Sequence, residues 1–295
     1  MRPEDGDEER VRRALGAGPV SWRPVSGHGA ASTRRFVVEL DDGRSVFVKV
    51  AALDYVADWF RDEHAAYAAL SGAPYLPRLL GWDDDGSAPL LAIEDLSEAR
   101  WPPPWDDGMT DAVLATLDSL HATRPRAGLP TADERQFGLD RWPGVIEDPT
   151  PFLATGLCSA AWLDRHLPAL AAASAAARID GSAVLHFDVR SDNLCIRNGR
   201  AMLVDWNHAC IGNPMLDTAS WLPSLQAEGG AQPEEILPDD TPGLPQVASL
   251  LAGYFCARAG LPSIPQVPHV RPLQLAQSRT SLPWAARLLD LPLPR

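Results

Sequence analysis

The chain has 295 residues, 45% of them hydrophobic, and a formal net charge of −13. That length holds one large domain or two lobes around a substantial core. The acidity argues against a nucleic-acid binder, which presents a basic patch.

No run of about 18 apolar residues occurs, so no membrane span is expected. The charged opening, MRPEDGDEERVRR, lacks the apolar segment of a secretory signal. Cys158, Cys195, Cys210 and Cys256 form no CxxC pair and read as free thiols of a cytoplasmic protein. Among 26 basic residues only Lys49 is a lysine. Where arginine replaces lysine almost everywhere, a retained lysine points to a need for a compact, rotatable charge. One surface lysine surviving by chance is the alternative.

In chain order, residues 7–15 read as a short charged helix. Val20 to Val25 and Arg35 to Leu40 read as strands around Ser26-Gly27-His28-Gly29-Ala30-Ala31-Ser32-Thr33. Small residues there would let backbone N–H groups close over phosphates; an ordinary hairpin turn explains them equally well. Ser45 to Val50 alternates as a strand, with Phe47 and Lys49 on one face and Val46, Val48 and Val50 on the other.

A helix is expected from about Asp54 to Leu70, N-capped near Asp54, with the stripe Val56, Trp59, Phe60, Tyr67 and Leu70. Glu63 falls on that stripe. A carboxylate on a buried face needs a partner, and Lys49 on the preceding strand is the natural one. A Glu at the stripe's edge, reaching water, is the alternative.

Leu76 to Trp82 and Pro89 to Glu94 read as strands, followed by the connector Ile93-Glu94-Asp95-Leu96 and a stiff linker, Trp101-Pro102-Pro103-Pro104-Trp105. The rest is mostly helical: Thr110 to Ala122, Ala161 to Arg178 with Pro168 interrupting it, Met215 to Glu228, Pro245 to Ala259 and Arg271 to Leu289. His121 reads as a core or cap histidine.

The richest stretch is VLHFDVRSDNLCIRNGRAMLVDW, Val184 to Trp206. Asn198-Gly199 between apolar runs is a strong hairpin signal, since both turn residues take positive φ. Folding on that turn pairs residues whose numbers sum to about 397, which sets Asn193 beside Val204. Asn193 and Asp205 then meet at one end of the hairpin, and Asp188 enters the same end. Two carboxylates and an amide suit Mg²⁺ and allow one Asp to take a proton from an attacking hydroxyl. Turn-capping by the same residues is the plainer alternative.

His186-Phe187-Asp188, Asn193 and Asp205, continuing through Gly212-Asn213-Pro214 to Asp217, resemble the catalytic loop and metal-binding Asp of kinase-like phosphotransferases. Among these, the stretch looks most like the aminoglycoside phosphotransferase and choline kinase-like group. That group usually has Gly where this chain has Phe187, and Asp where it has Asn213.

The resemblance implies an α+β, bilobal protein-kinase-like fold: a small antiparallel-sheet lobe, residues 1–96, and a larger, mostly helical lobe, residues 97–295. It implies ATP, or GTP, with Mg²⁺. Asp188 would be the base or orienter and His186 its brace, with Asn193 and Asp205 holding metal. Lys49, held by Glu63, would contact phosphate, with Ser26, Gly27 and Gly29 above it. Glu94 and Leu96 would form the adenine hinge. Asp217 would hydrogen-bond back to the catalytic loop.

The expected activity is phosphoryl transfer to a hydroxyl of a small molecule, an aminoglycoside-like antibiotic or other metabolite. The expected state is a monomer or homodimer, without nucleic-acid or membrane partners. A catalytically inactive kinase-like regulatory protein is the rival reading. A metal-dependent phosphoesterase is a third, but it would not need Lys49 and Glu63.

Overall fold

A computed structural model describes residues 2–25, 33–125, 127–135, 138–265 and 267–295, with the side chains of residues 54 and 55 excluded. The expected phosphate loop residues Ser26, Gly27 and Gly29 lie outside the described residues.

The N-terminal part is a five-stranded antiparallel sheet in the order β1-β2-β3-β5-β4. Its strands are β1 (Pro19–Pro24), β2 (Thr33–Leu40), β3 (Ser45–Ala51), β4 (Leu79–Asp83) and β5 (Leu90–Glu94). Alternation divides β3 as its sequence requires. Val46, Val48 and Val50 are buried with Phe36 and Val38 of β2 and with Val11 and Leu15 of α1 (Asp7–Leu15). Arg10 and Arg13 of α1 reach Asp83 at 2.8 and 2.6 Å, and Asp7 pairs with buried Arg34. Phe47 and Lys49 face the opposite way, into a cleft.

Helix α2 (Asp54–Ala69) packs on that cleft-facing side, touching β3 and β5. Val56, Phe60, Tyr67 and Leu70 are buried as expected, but Trp59 is 40% exposed. The helix starts at Asp54, and its N-cap is the adjacent Leu53. Leu53 has the extended conformation that opens the first turn, and its carbonyl accepts the Val56 and Ala57 N–H groups. The strand expected from Leu76 starts only at Leu79, because Tyr75 and Leu76 are drawn into the core.

The C-terminal part is built from α3 (Asp107–His121), α4 (Trp142–Glu147), α5 (Thr150–Leu153), α6 (Ala160–Ala175), α7 (Met215–Ala227), α8 (Pro233–Ile236), α9 (Leu244–Ala259) and α10 (Val270–Leu288). α9 is the hub, buried against α6 and α10. α6 runs through Pro168 instead of stopping there. α4, α5 and α8 are pieces of fewer than two turns, too short to show helical periodicity in sequence. None of the described helices is long and apolar enough to cross a membrane.

Two small ladders complete the C-terminal part. β7 (Leu194–Arg197) and β8 (Arg200–Leu203) pair as Leu194↔Leu203 through Arg197↔Arg200, the register read from sequence. Asn198 and Gly199 both take positive φ, 51° and 74°. β6 (Ala183–Leu185) pairs with β9 (Cys210–Gly212), a ladder that no local signal announces.

Candidate active site

The site assembles where β6, the β7–β8 hairpin, β3 and α2 converge. β6 ends at Leu185, and the chain turns sharply through Phe187, whose φ is +66°. This is the left-handed region that glycine enters freely and that costs other residues roughly 1–2 kcal/mol. Phe187 therefore adopts a conformation ordinarily left to glycine, and Asp217 holds it there. Buried in the first turn of α7, Asp217 accepts the Phe187 N–H at 2.7 Å, the His186 N–H at 3.0 Å and a 3.1 Å contact from His121 Nε2.

His186 is fully buried. The Asp188 N–H donates to its Nδ1 at 3.3 Å, so Nε2 carries the hydrogen and donates to the Val204 carbonyl at 2.9 Å. The imidazole thus ties the 188 loop to the end of the hairpin. Asn193, in a 3-10 turn, gives both amide hydrogens to Asp188, at 2.9 Å to its carbonyl and 2.8 Å to Oδ2. That leaves the side-chain oxygen of Asn193, Oδ1, for other work. The Val204 N–H donates to the Asn193 backbone carbonyl at 2.9 Å, which brings Asp205 alongside. Asp205 itself sits at φ +69°, opening the turn Trp206–His208.

Lys49 closes the group. Its Nζ lies 2.5 Å from Glu63 Oε2 and 2.8 Å from Asp205 Oδ1. Burial opposes the Lys49 charge, but Asp205 and Glu63 outweigh it and raise its pKa above the ordinary lysine value. Burial likewise opposes ionisation of Asp205. Lys49, then Arg35 and Arg190, overcome this and hold the carboxyl well below the usual carboxylate range. Glu63 behaves differently: burial pushes its carboxyl up, against the pull of Lys49.

Above these groups lies a cavity of about 590 Å³, in the range of small-molecule sites. One end is apolar, with Val37, Phe47, Ile93, Leu96 and Val204; the other is polar, with Lys49, Asn193 and Asp205. Glu94 and Leu96 both line it, although the Glu94 carboxylate is held by Arg197 at 2.8 Å and by the Arg78 N–H at 3.0 Å. The Leu96 carbonyl accepts from Ala99 N–H and Trp101 Nε1.

A hard divalent ion fits the polar end. Among the described residues no three His, Cys, Asp or Glu side chains form a metal-binding group. The oxygens on offer are the Asn193 amide carbonyl and the Asp205 carboxylate, the sparse set of an ion that fills its shell with phosphate and water.

Three neighbours were not picked out from sequence. Arg190 is bracketed by Asp188 and Asp192, 3.2 Å from each. Their spacing, two residues to either side, was the available signal. Arg35 stands opposite Lys49 in the β2–β3 register and faces the same cleft. Counting back from the Asp41-Asp42-Gly43 turn would have found it. Glu228 lines the cleft from the end of α7, and nothing near it in sequence marks it.

The fold and the site together define a kinase-like phosphotransferase. The family model described as APH, phosphotransferase enzyme family, matches residues 21–250, and the chain belongs to that family. No curated protein sequence matches the chain significantly. Among solved structures it is similar to a thermostable mutant of aminoglycoside phosphotransferase APH(4)-Ia, in ternary complex with ADP and hygromycin B. That match has a TM-score of 0.60 at 15% identity, covering 97% of this chain and 98% of the other. It is also similar to a macrolide 2'-phosphotransferase type I, with a TM-score of 0.55 at 19% identity, covering 98% and 94%. A third similar structure is a putative fructosamine-3-kinase from Thermobifida fusca, with a TM-score of 0.56 at 19% identity, covering 95% and 99%.

Proposed function

We propose that the protein transfers the γ-phosphoryl group of ATP, or of GTP, to a hydroxyl of a small molecule. One observation carries this reading: Lys49–Glu63–Asp205 and Asn193–Asp188 converge at the polar end of a cleft whose other end is apolar. A nucleotide has the same polarity, with a flat base at one end and phosphates at the other.

In this reading the base lies between Val37 and Val204, beside the backbone of Glu94 to Leu96, and the nucleotide-binding lobe ends there. Lys49 and Arg35 face the phosphates. Mg²⁺, held by Asn193 Oδ1 and Asp205, would neutralise charge on the phosphate oxygens. Asp188 orients the acceptor hydroxyl and takes its proton as the oxygen attacks phosphorus; the bond to the nucleoside diphosphate breaks. Asn193 holds Asp188 through two bonds, and His186 holds the loop.

A small acceptor is supported by the chain between Asp205 and α7. It consists of one 3-10 turn and the three-residue β9, then Asn213 and Pro214. No room remains for the long segment with which protein kinases receive peptides. By resemblance, aminoglycoside-like and other hydroxylated antibiotics lead the candidates, followed by sugars and amino alcohols.

The test incubates the enzyme with γ-labelled ATP against a panel of small hydroxyl compounds and a panel of peptides. Label should appear on a small molecule and disappear with Asp188→Asn, which keeps its nucleotide affinity. Label on peptides alone would overturn the reading. So would Asp188→Asn retaining more than about a tenth of the rate, since such groups contribute roughly 10²- to 10⁴-fold.

A further inference from the structure

Glu228 is a carboxylate at the wall of a cleft read as binding a polyanion. Placed there without a purpose, it would repel phosphate. Its setting is rigid. It ends α7, its N–H donates to the Ser224 carbonyl at 3.0 Å, and Gly229 follows at φ +83°. Its Oε1 accepts the Ser191 hydroxyl at 2.7 Å and its Oε2 accepts Trp105 Nε1–H at 2.8 Å. Two donors from two distant segments fix both oxygens. A carboxylate offers about four acceptor positions, so roughly two remain open.

Its place in the cleft is informative. Ser191 belongs to the same turn as Asn193, at the phosphate end. Trp101 and Pro102, which also line the cavity, follow Leu96 at the base end. Glu228 thus stands on the wall where the two ends approach each other. The part of a nucleotide that spans base and phosphates is the sugar, and a sugar offers what a carboxylate needs: two adjacent hydroxyl donors.

We infer that Glu228 binds the ribose by accepting hydrogen bonds from its 2′- and 3′-hydroxyls, so that the enzyme selects ribonucleotides. The inference rests on the nucleotide reading of the cleft. Acidic side chains recognise ribose hydroxyls in other nucleotide folds through the same chemistry. Ser191 and Trp105 are positioning residues, because they hold the carboxylate without reaching the sugar.

The test is calorimetric and needs no acceptor. The magnesium complexes of ATP, 2′-deoxyATP and 3′-deoxyATP are titrated into wild type, Glu228→Gln and Glu228→Ala, with each variant's fold checked by its melting curve. Wild type should bind at least one deoxynucleotide roughly tenfold or more weaker than ATP, the worth of a hydrogen bond to a charged group. Glu228→Ala should bind ATP at that weaker level and lose the discrimination, and Glu228→Gln should fall between.

Equal binding of all three nucleotides by wild type overturns the inference and leaves the nucleotide reading standing. So does a Glu228→Ala that weakens all three by one factor, which is the mark of a purely structural residue. Folded wild type that binds none of them overturns both readings.

Discussion

Asp217 accepts the backbone N–H of Phe187 at 2.7 Å, across 30 residues of chain. This bond fixes a non-glycine residue in a left-handed conformation immediately before the residue proposed to orient the acceptor. Fold, strain and function meet there, since relaxing Phe187 would swing Asp188 away from Asn193 and the polar end of the cleft.

The strain makes Phe187 sensitive to shape more than to polarity. Phe187→Gly should lie within about 1 kcal/mol of wild type, because relief of roughly 1–2 kcal/mol of backbone strain offsets lost ring packing. Phe187→Val should cost about 1–3 kcal/mol and lower the transfer rate, since a β-branched residue resists positive φ. Urea unfolding of the two variants checks this, and a Val variant more stable than the Gly variant would refute it.

Asp217→Ala should be far more damaging. It removes a fully buried carboxylate and strands two backbone N–H groups and the His121 contact. A loss of about 3–5 kcal/mol is expected, as for breaking a buried hydrogen-bonded charge. Denaturant unfolding measures it; a loss under about 1 kcal/mol would mean that water replaces the carboxylate.

Arg35→Ala should weaken binding of the ATP–magnesium complex by roughly tenfold, the size of one charge-assisted hydrogen bond. The basis is its position opposite Lys49 on the cleft face of β2. Arg35→Lys should recover part of the loss, because charge returns without the planar fork. Calorimetry decides, and unchanged affinity in the Ala variant would remove Arg35 from the phosphate site.

The Asp205 carboxyl is held low, which gives a signed pH dependence. A group whose folded pKa lies below its unfolded value, about 3.9 for Asp, contributes stability that is complete above that value. The contribution fades as pH falls toward the folded pKa. The Tm of wild type relative to Asp205→Asn should therefore be level from about pH 5 to 7 and decline below about pH 4. A difference that stays constant down to pH 3 would show that Lys49 does not lower the Asp205 pKa in the folded protein.

Local chemistry alone decided several features. Asn198-Gly199 can make only a tight turn, and the apolar runs beside it have one register that buries them, so Asn193 and Asp205 had to meet. Period-two alternation put Lys49 and Phe47 on the face away from the valines. Helical spacing put Glu63 among Phe60 and Tyr67, where a lone carboxylate needs a cation. Other features depend on which distant segments touch. The β6–β9 ladder, the grip of Asp217 on Phe187 and the seating of Glu228 against Ser191 and Trp105 join residues about 25 to 120 apart. Helical periodicity likewise put Trp59 inside, but it lies at the rim of the α2 packing face and remains 40% exposed. Propensity and periodicity act over one or two turns of chain. Only the packed fold sets how those turns are placed against one another, and with it whether a phenylalanine is forced to adopt a glycine's conformation.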